Sequence, residues 1–127
     1  MKRYIIRCLS ILLCGAGSFV QAQDVGVTAL TSPSTACGHS FNETVTVQIE
    51  NFTGVAVPAN TFSVKYVVGN DSATQLVNVI LPASSTISFS FSSATNMSVP
   101  GTYDFTVYSI YGADVDNSND TTQAQVV

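Results

Sequence analysis

The sequence predicts an all-β chain of about seven antiparallel strands in two sheets, and three observations carry that prediction. Apolar and polar residues alternate at period two, not at the 3.6 of a helix. The alternating runs are rich in Val, Thr, Ile, Phe and Tyr, which suit a pleated, half-buried surface. Turn residues separate the runs at short intervals, as "GND" from Gly69, "LPASS" from Leu81, "SVPG" from Ser98 and "DVDNSND" from Asp114. No window supports an amphipathic helix.

Taken in order, an opening strand is expected near Val25 to Thr31. In "TVTVQIE" the inward set is Val45, Val47 and Ile49, with Thr46, Gln48 and Glu50 outward. "FSVKYVV" repeats the pattern with Phe62, Val64 and Tyr66. "QLVNVIL", from Gln75 to Leu81, is more continuously apolar and reads as a buried fourth strand. "TISFSFS" alternates Ile87, Phe89 and Phe91 with serines, and "TYDFTVYSIY" puts Tyr103, Phe105 and Val107 on one face. A closing strand near Thr122 to Val127 completes the set. Seven short strands with frequent turns in about 105 residues argue for an immunoglobulin-like sandwich. Pro100 and Gly101 turn the chain just before Tyr103, where such sandwiches place a tyrosine whose hydroxyl ties the corner. The chain has no tryptophan and no internal cysteine pair, so it is not an antibody-type domain.

Residues 1–22 read as a secretory signal peptide. Lys2 and Arg3 precede an apolar run from Cys8 to Val20, and Val20 and Ala22 occupy the positions before a cleavage after Ala22. That run is too short to span a bilayer. A lipid anchor at Cys14 is the rival reading, but a lipobox needs a small residue where Leu13 stands. Cleavage leaves one domain, residues 24–127, expected to be secreted or at the extracellular cell surface. Three of the four basic residues, Lys2, Arg3 and Arg7, leave with the leader. Lys65 alone then faces eight acids, a net charge of about −7. Such a surface does not neutralise phosphates, so nucleic acid and anionic membranes are poor partners, and no nucleic acid is expected.

Cys37 and His39, in "ACGHS", are the cysteine and histidine that remain after the leader. A nucleophilic cysteine needs a base in reach, a group that orients the base, and an oxyanion hole. Zinc needs three or four ligands, which one Cys and one His do not supply. The expectation is no catalytic residue, no cofactor and no metal here. Cys37 then packs as a small apolar residue, and Gly38 turns the chain into the next strand. In "DVDNSND", Asp114, Asp116, Ser118 and Asp120 alternate at the spacing of the first ligands of a calcium loop. The glycine and the bidentate glutamate of an EF-hand are replaced by Asn119 and Gln125, and Asx-rich sequence also serves a plain turn. Calcium is thus the weaker reading. N-x-S/T sequons begin at Asn42, Asn51, Asn70, Asn96 and Asn119.

"DVGVTALTSPSTACGHSFNETVTVQIENFTG", "LPASSTISFSF", "PGTYDFTVYS" and "NDT", in that order, resemble the CARDB-type immunoglobulin-like repeat modules of large secreted Bacteroidetes proteins. The resemblance covers nearly the whole chain beyond the leader. It departs at Ala83 and Thr53, where glycine is usual, and both positions affect turns. It implies a non-catalytic adhesion or spacer module, normally one of several repeats. Its partners would be other modules of the same surface protein, or a cell-surface protein or glycan. It also implies O-glycosylation at Ser72 of "DSA" and Thr121 of "DTT", and a C-G pair where the second strand begins. The alternative function is a carbohydrate-binding module, with Tyr108 and Tyr111 as a stacking platform on an outer face.

Overall fold

A computed structural model describes residues 21–127, so nearly all of the expected signal peptide lies outside the described residues. Seven strands form: β1 (Val25–Ser32), β2 (Glu43–Asn51), β3 (Ser63–Val68), β4 (Asp71–Leu76), β5 (Thr86–Thr95), β6 (Tyr103–Ile110) and β7 (Thr121–Val126). One sheet has the order β1-β2-β5, the other β4-β3-β6-β7, and every pairing is antiparallel. This is the expected all-β sandwich. Unlike the constant-type immunoglobulin arrangement, which places the fourth strand beside β5, β4 here pairs with β3.

The period-two pattern sets the two faces. Val45, Val47 and Ile49 from β2 meet Phe89 and Phe91 from β5, and opposite them stand Val64 and Tyr66 from β3 and Phe105 and Val107 from β6. Tyr66 lies edge-on to Phe91 at 4.8 Å between ring centres, and Phe89 lies edge-on to Phe91 at 5.7 Å. Each such side chain contributes about 1.5–3 kcal/mol through burial, and edge-to-face pairs add to this. The Tyr103 hydroxyl donates to the Val99 carbonyl at 2.7 Å, so the tyrosine tie expected from "PGTY" is present.

The fourth strand is displaced from its expected place. It covers Asp71–Leu76, and its polar residues follow directly from a two-residue hairpin at Gly69 and Asn70. Gly69 takes φ +55°, as a tight hairpin turn requires of its first central residue. The apolar run that followed looked like a strand because Val77 and Leu81 are fully buried. They are instead anchors of the connection between the sheets. Val77 exchanges backbone bonds with Phe62 and Asn60, and Leu81 exchanges two with Val57, at 2.9 and 3.0 Å.

Two near-identical turns flank that Val57–Leu81 bridge. Pro58-Ala59-Asn60-Thr61 and Pro82-Ala83-Ser84-Ser85 each carry a positive φ at the third residue, +63° at Asn60 and +48° at Ser84. In each, the hydroxyl of the fourth residue donates to the proline carbonyl at 2.7 Å. Buried Asn51 fastens the second of these turns to the segment that follows β2. Its amide nitrogen donates to the Val55 and Pro82 carbonyls, and its oxygen accepts from the Thr53 backbone and hydroxyl.

Candidate functional site

The acidic loop between β6 and β7 works on the free edge of β1. An edge strand exposes unpaired backbone groups, and these must be covered. The Asp114 carboxylate accepts the Val25 N–H at 2.9 Å, the Ser109 hydroxyl donates to the Val25 carbonyl at 2.8 Å, and the Thr122 hydroxyl donates to the Val27 carbonyl. Ser109 also meets the Asp120 carboxylate at 2.9 Å, and the Asn119 amide donates to Asp24 at 2.7 Å. Gly26 is required here, because a Cβ would stand 2.5 Å from the Asn119 carbonyl oxygen. Burial pushes the Asp120 carboxyl above its ordinary range, and the neighbouring Asp114 and Asp24 carboxylates push the same way.

The four calcium candidates therefore do different things. Asp114 and Asp120 face β1 and β6. Asp116 accepts from the Ser118 backbone at 3.0 Å and from its hydroxyl, in an exposed Asx turn. Those two bonds hold the Asp116 carboxyl below its ordinary range. The loop brackets the edge of β1 through Asp114, while Asp116 and Ser118 close its exposed turn.

At the other end of the sandwich, the β1–β2 loop, the β5–β6 loop and Val127 enclose a cavity of about 250 Å³. Cys37, Gly38, His39, Met97 and Tyr103 line it. The expected packing of Cys37 is corrected here, since its side chain is exposed and that of His39 is 7% exposed. Gly38 at φ +150° takes a conformation that residues with a Cβ rarely adopt, and it sets the pair on either side of a sharp bend. His39 Nδ1 faces Glu43 Oε1 at 3.8 Å, and Nε2 is buried without a hydrogen-bond partner. Among the described residues, no group of three or more His, Cys, Asp or Glu side chains is placed to hold a metal ion.

The outer face of the four-stranded sheet carries the glycosylation candidates. Ser72 is in β4 and Thr121 opens β7, both exposed. Thr121 lies across from Tyr108, and Lys65 sits over the Tyr108 ring at 5.9 Å. Tyr111 is not beside Tyr108 on that face. It packs against Phe62 at 5.8 Å, and its hydroxyl bonds Gln23, which removes it from the stacking platform. The sequon at Asn51 is likewise buried and fully hydrogen-bonded. Among the described residues, no helix is long and apolar enough to cross a membrane.

No family model and no curated protein matches the sequence. Solved structures do. The chain is similar to the CARDB domain of a Pyrococcus furiosus protein in solution, with TM-score 0.55 and 16% identity over 83% of this chain and 92% of that one. The crystal structure of that domain, in complex with di-metal ions, gives 0.53 and 15% over 82% and 91%. A domain of a Methanosarcina acetivorans protein described as a cell surface protein gives 0.59 and 24% over 82% and 90%. At these identities the likeness is one of fold, and the chain has the immunoglobulin-like fold of CARDB domains.

Proposed function

We propose that this chain is a non-catalytic adhesion or spacer module of an exported bacterial surface protein, of the Bacteroidetes type its motifs resemble. One observation carries the reading: among the described residues, the chain enters the first strand and leaves the last strand at opposite ends of the sandwich. Gln23 and Val25 lie beside the β6–β7 loop, whereas the Val127 carbonyl accepts from Ala36 beyond the far end of β1. Copies joined in series then extend in line. The similarity to a domain of a cell surface protein supports the same placement. Export rests on the leader, and sequencing of the exported chain should begin at Gln23.

The partners follow from the exposed surface. The outer sheet face presents Thr74, Ser72, Thr106 and Gln123 around Tyr108, with exposed Leu76 and Ile110 on either side of Ser63, a mixed face suited to a neighbouring module or a glycan. Ser72 and Thr121 are accessible there for O-glycosylation, which peptide mass mapping of the native protein tests. Small-angle scattering of two copies in tandem tests the spacer reading. A maximum dimension about twice that of one copy supports it, and a folded-back pair overturns it. The carbohydrate-binding reading retains Tyr108 alone. Glycan-array binding abolished by Tyr108→Ala would favour it over the spacer.

A further inference from the structure

The three-stranded sheet has two outer edges, and they differ. The β1 edge is bracketed by the β6–β7 loop, whereas the first half of β5 carries no such cover. Asn51 N–H donates to the Ser85 carbonyl at 2.9 Å, and from there the β2–β5 register runs unbroken from Glu50↔Thr86 to Thr46↔Ser90. Antiparallel bonding alternates along a strand, so Ile87 and Phe89 bond β2. The N–H and C=O groups of Thr86, Ser88 and Ser90 then point away from it. Among the described residues, no group of this chain bonds those backbone groups from the open side. The open stretch has defined limits. At one end Ser84 N–H is given to the Thr53 carbonyl at 2.8 Å, and at the other Ser92 N–H is given to Gln75 Oε1 at 2.7 Å. Ser88 is its centre. Natural edges are defended by charge, proline or a bulge, and Thr86–Ser90 contains none of these.

We propose that this edge pairs with the same edge of a second copy of the chain, antiparallel, about a two-fold axis at Ser88. The open stretch is its own complement. The axis sets Ser88 opposite Ser88 and Thr86 opposite Ser90, so each outward N–H meets an outward carbonyl. One continuous sheet then runs through both copies. The pairing also lays Phe89 of the second copy beside Ile87, which is half-buried against the core, at the closer of the two cross-strand spacings. No charge lies in the stretch, which matters for two molecules that each carry a strong net negative charge. A strand of another protein would need no two-fold symmetry in the edge, and it is this symmetry that selects a second copy. Paired copies run in opposite directions, so the contact joins two chains and not successive modules extended along one. It is independent of the adhesion or spacer role.

The test is sedimentation equilibrium of the purified chain under reducing conditions, which keep its thiols from cross-linking copies. A reversible monomer–dimer equilibrium is expected, with amide exchange at Thr86, Ser88 and Ser90 slowing as concentration rises. Proline is tolerated where an edge N–H faces solvent, so Ser88→Pro should keep the fold, remove the central pair of bonds and weaken pairing at least about ten-fold. Ser88→Glu and Ser88→Lys each set like charges opposite one another and should pair more weakly than the parent, while their equimolar mixture recovers pairing. A chain that stays monomeric to about 1 mM overturns the proposal, whether or not the edge accepts a strand of another protein. So does a dimer unchanged in both Ser88→Pro and Ser88→Glu, which lies on another surface, or open-ended aggregation in place of a dimer. Should Ser88→Pro fail to fold, the mixture of Ser88→Glu and Ser88→Lys decides.

Discussion

The Asp114 carboxylate accepts the Val25 backbone N–H at 2.9 Å across 89 residues of chain, joining the β6–β7 loop to the first residue of the first strand. A hydrogen bond to a charged acceptor contributes about 1.5–3 kcal/mol, and its loss here also leaves an edge donor open. Asp114→Ala should therefore cost about 2 kcal/mol in urea denaturation, and Asp114→Asn less, because an amide oxygen can still accept. Equal stability of Asp114→Ala and the parent would show that the bracket contributes nothing.

Asp120 gives this end a pH signature. Its folded-state carboxyl holds a proton at higher pH than in the unfolded chain, because burial and two neighbouring carboxylates disfavour its charge. Over that interval the folded state binds more protons, so the Asp120 contribution rises as pH falls through its folded value. Asp120→Asn keeps a polar partner beside the Ser109 hydroxyl and removes the charge. It should match or exceed the parent at about pH 7, with the difference closing toward about pH 4. A variant that loses more than about 1 kcal/mol at neutral pH would contradict this assignment.

Calcium should have little effect. Asp116 and Ser118 are turned to each other, so the loop does not present its four alternating oxygens together. A ligand stabilises in proportion to its affinity for the folded state. Millimolar calcium should shift the melting temperature by less than about 2 °C, and a rise of about ten degrees would reveal a site.

Strand β5 offers a test of the two faces. Phe89 is 6% exposed in the core, while Ser88 and Ser90 face outward. Phe89→Ala should cost about 3–5 kcal/mol through lost burial and a cavity. Ser88→Ala should change stability by less than about 0.5 kcal/mol. Ser90→Ala loses only an exposed contact to Thr46 and should behave alike. Chemical denaturation of the three variants reads the contrast, which equal tolerance at Phe89 and Ser88 would erase.

The turn at Ser84 is improvable. A serine at φ +48° carries a left-handed backbone cost that glycine does not. Ser84→Gly should stabilise by about 0.5 kcal/mol after allowing for the added freedom of the unfolded chain. Ser84→Val should destabilise, since a β-branched residue tolerates this region least. Thermal melts of the pair would reverse this order only if the turn relaxed.

What was legible followed from pattern and turn chemistry. Strands with one wet face, such as β2 and β5, declare themselves by alternation, and Pro100-Gly101 before Tyr103 declares the corner. The fourth strand was misplaced because β4, at an open edge, has little apolar surface, whereas Val77 and Leu81 are buried from a connection. Periodicity reports burial, and burial does not require a strand. Cys37 is expected to pack as a small apolar residue, yet its thiol is exposed and the nearby His39 ring is the buried group, an outcome set by tertiary contacts. Nothing in local sequence links Met97 to either of them. The bond from Met97 N–H to the Ser40 carbonyl, which sets the β5–β6 loop against the β1–β2 loop, is a tertiary contact.

Entry to β1 and exit from β7 at opposite ends give the sandwich a mechanical axis. A pull applied at Gln23 and Val127 drags β1 lengthwise along β2 and β7 lengthwise along β6, because each terminal strand is held from its outward end and runs the length of its neighbour. Rungs of each ladder then share the load together and do not unzip one at a time. The Asp114, Ser109 and Thr122 contacts add rivets along β1 on its second side. In the spacer role proposed above, the first strand is where rupture under tension begins or is resisted.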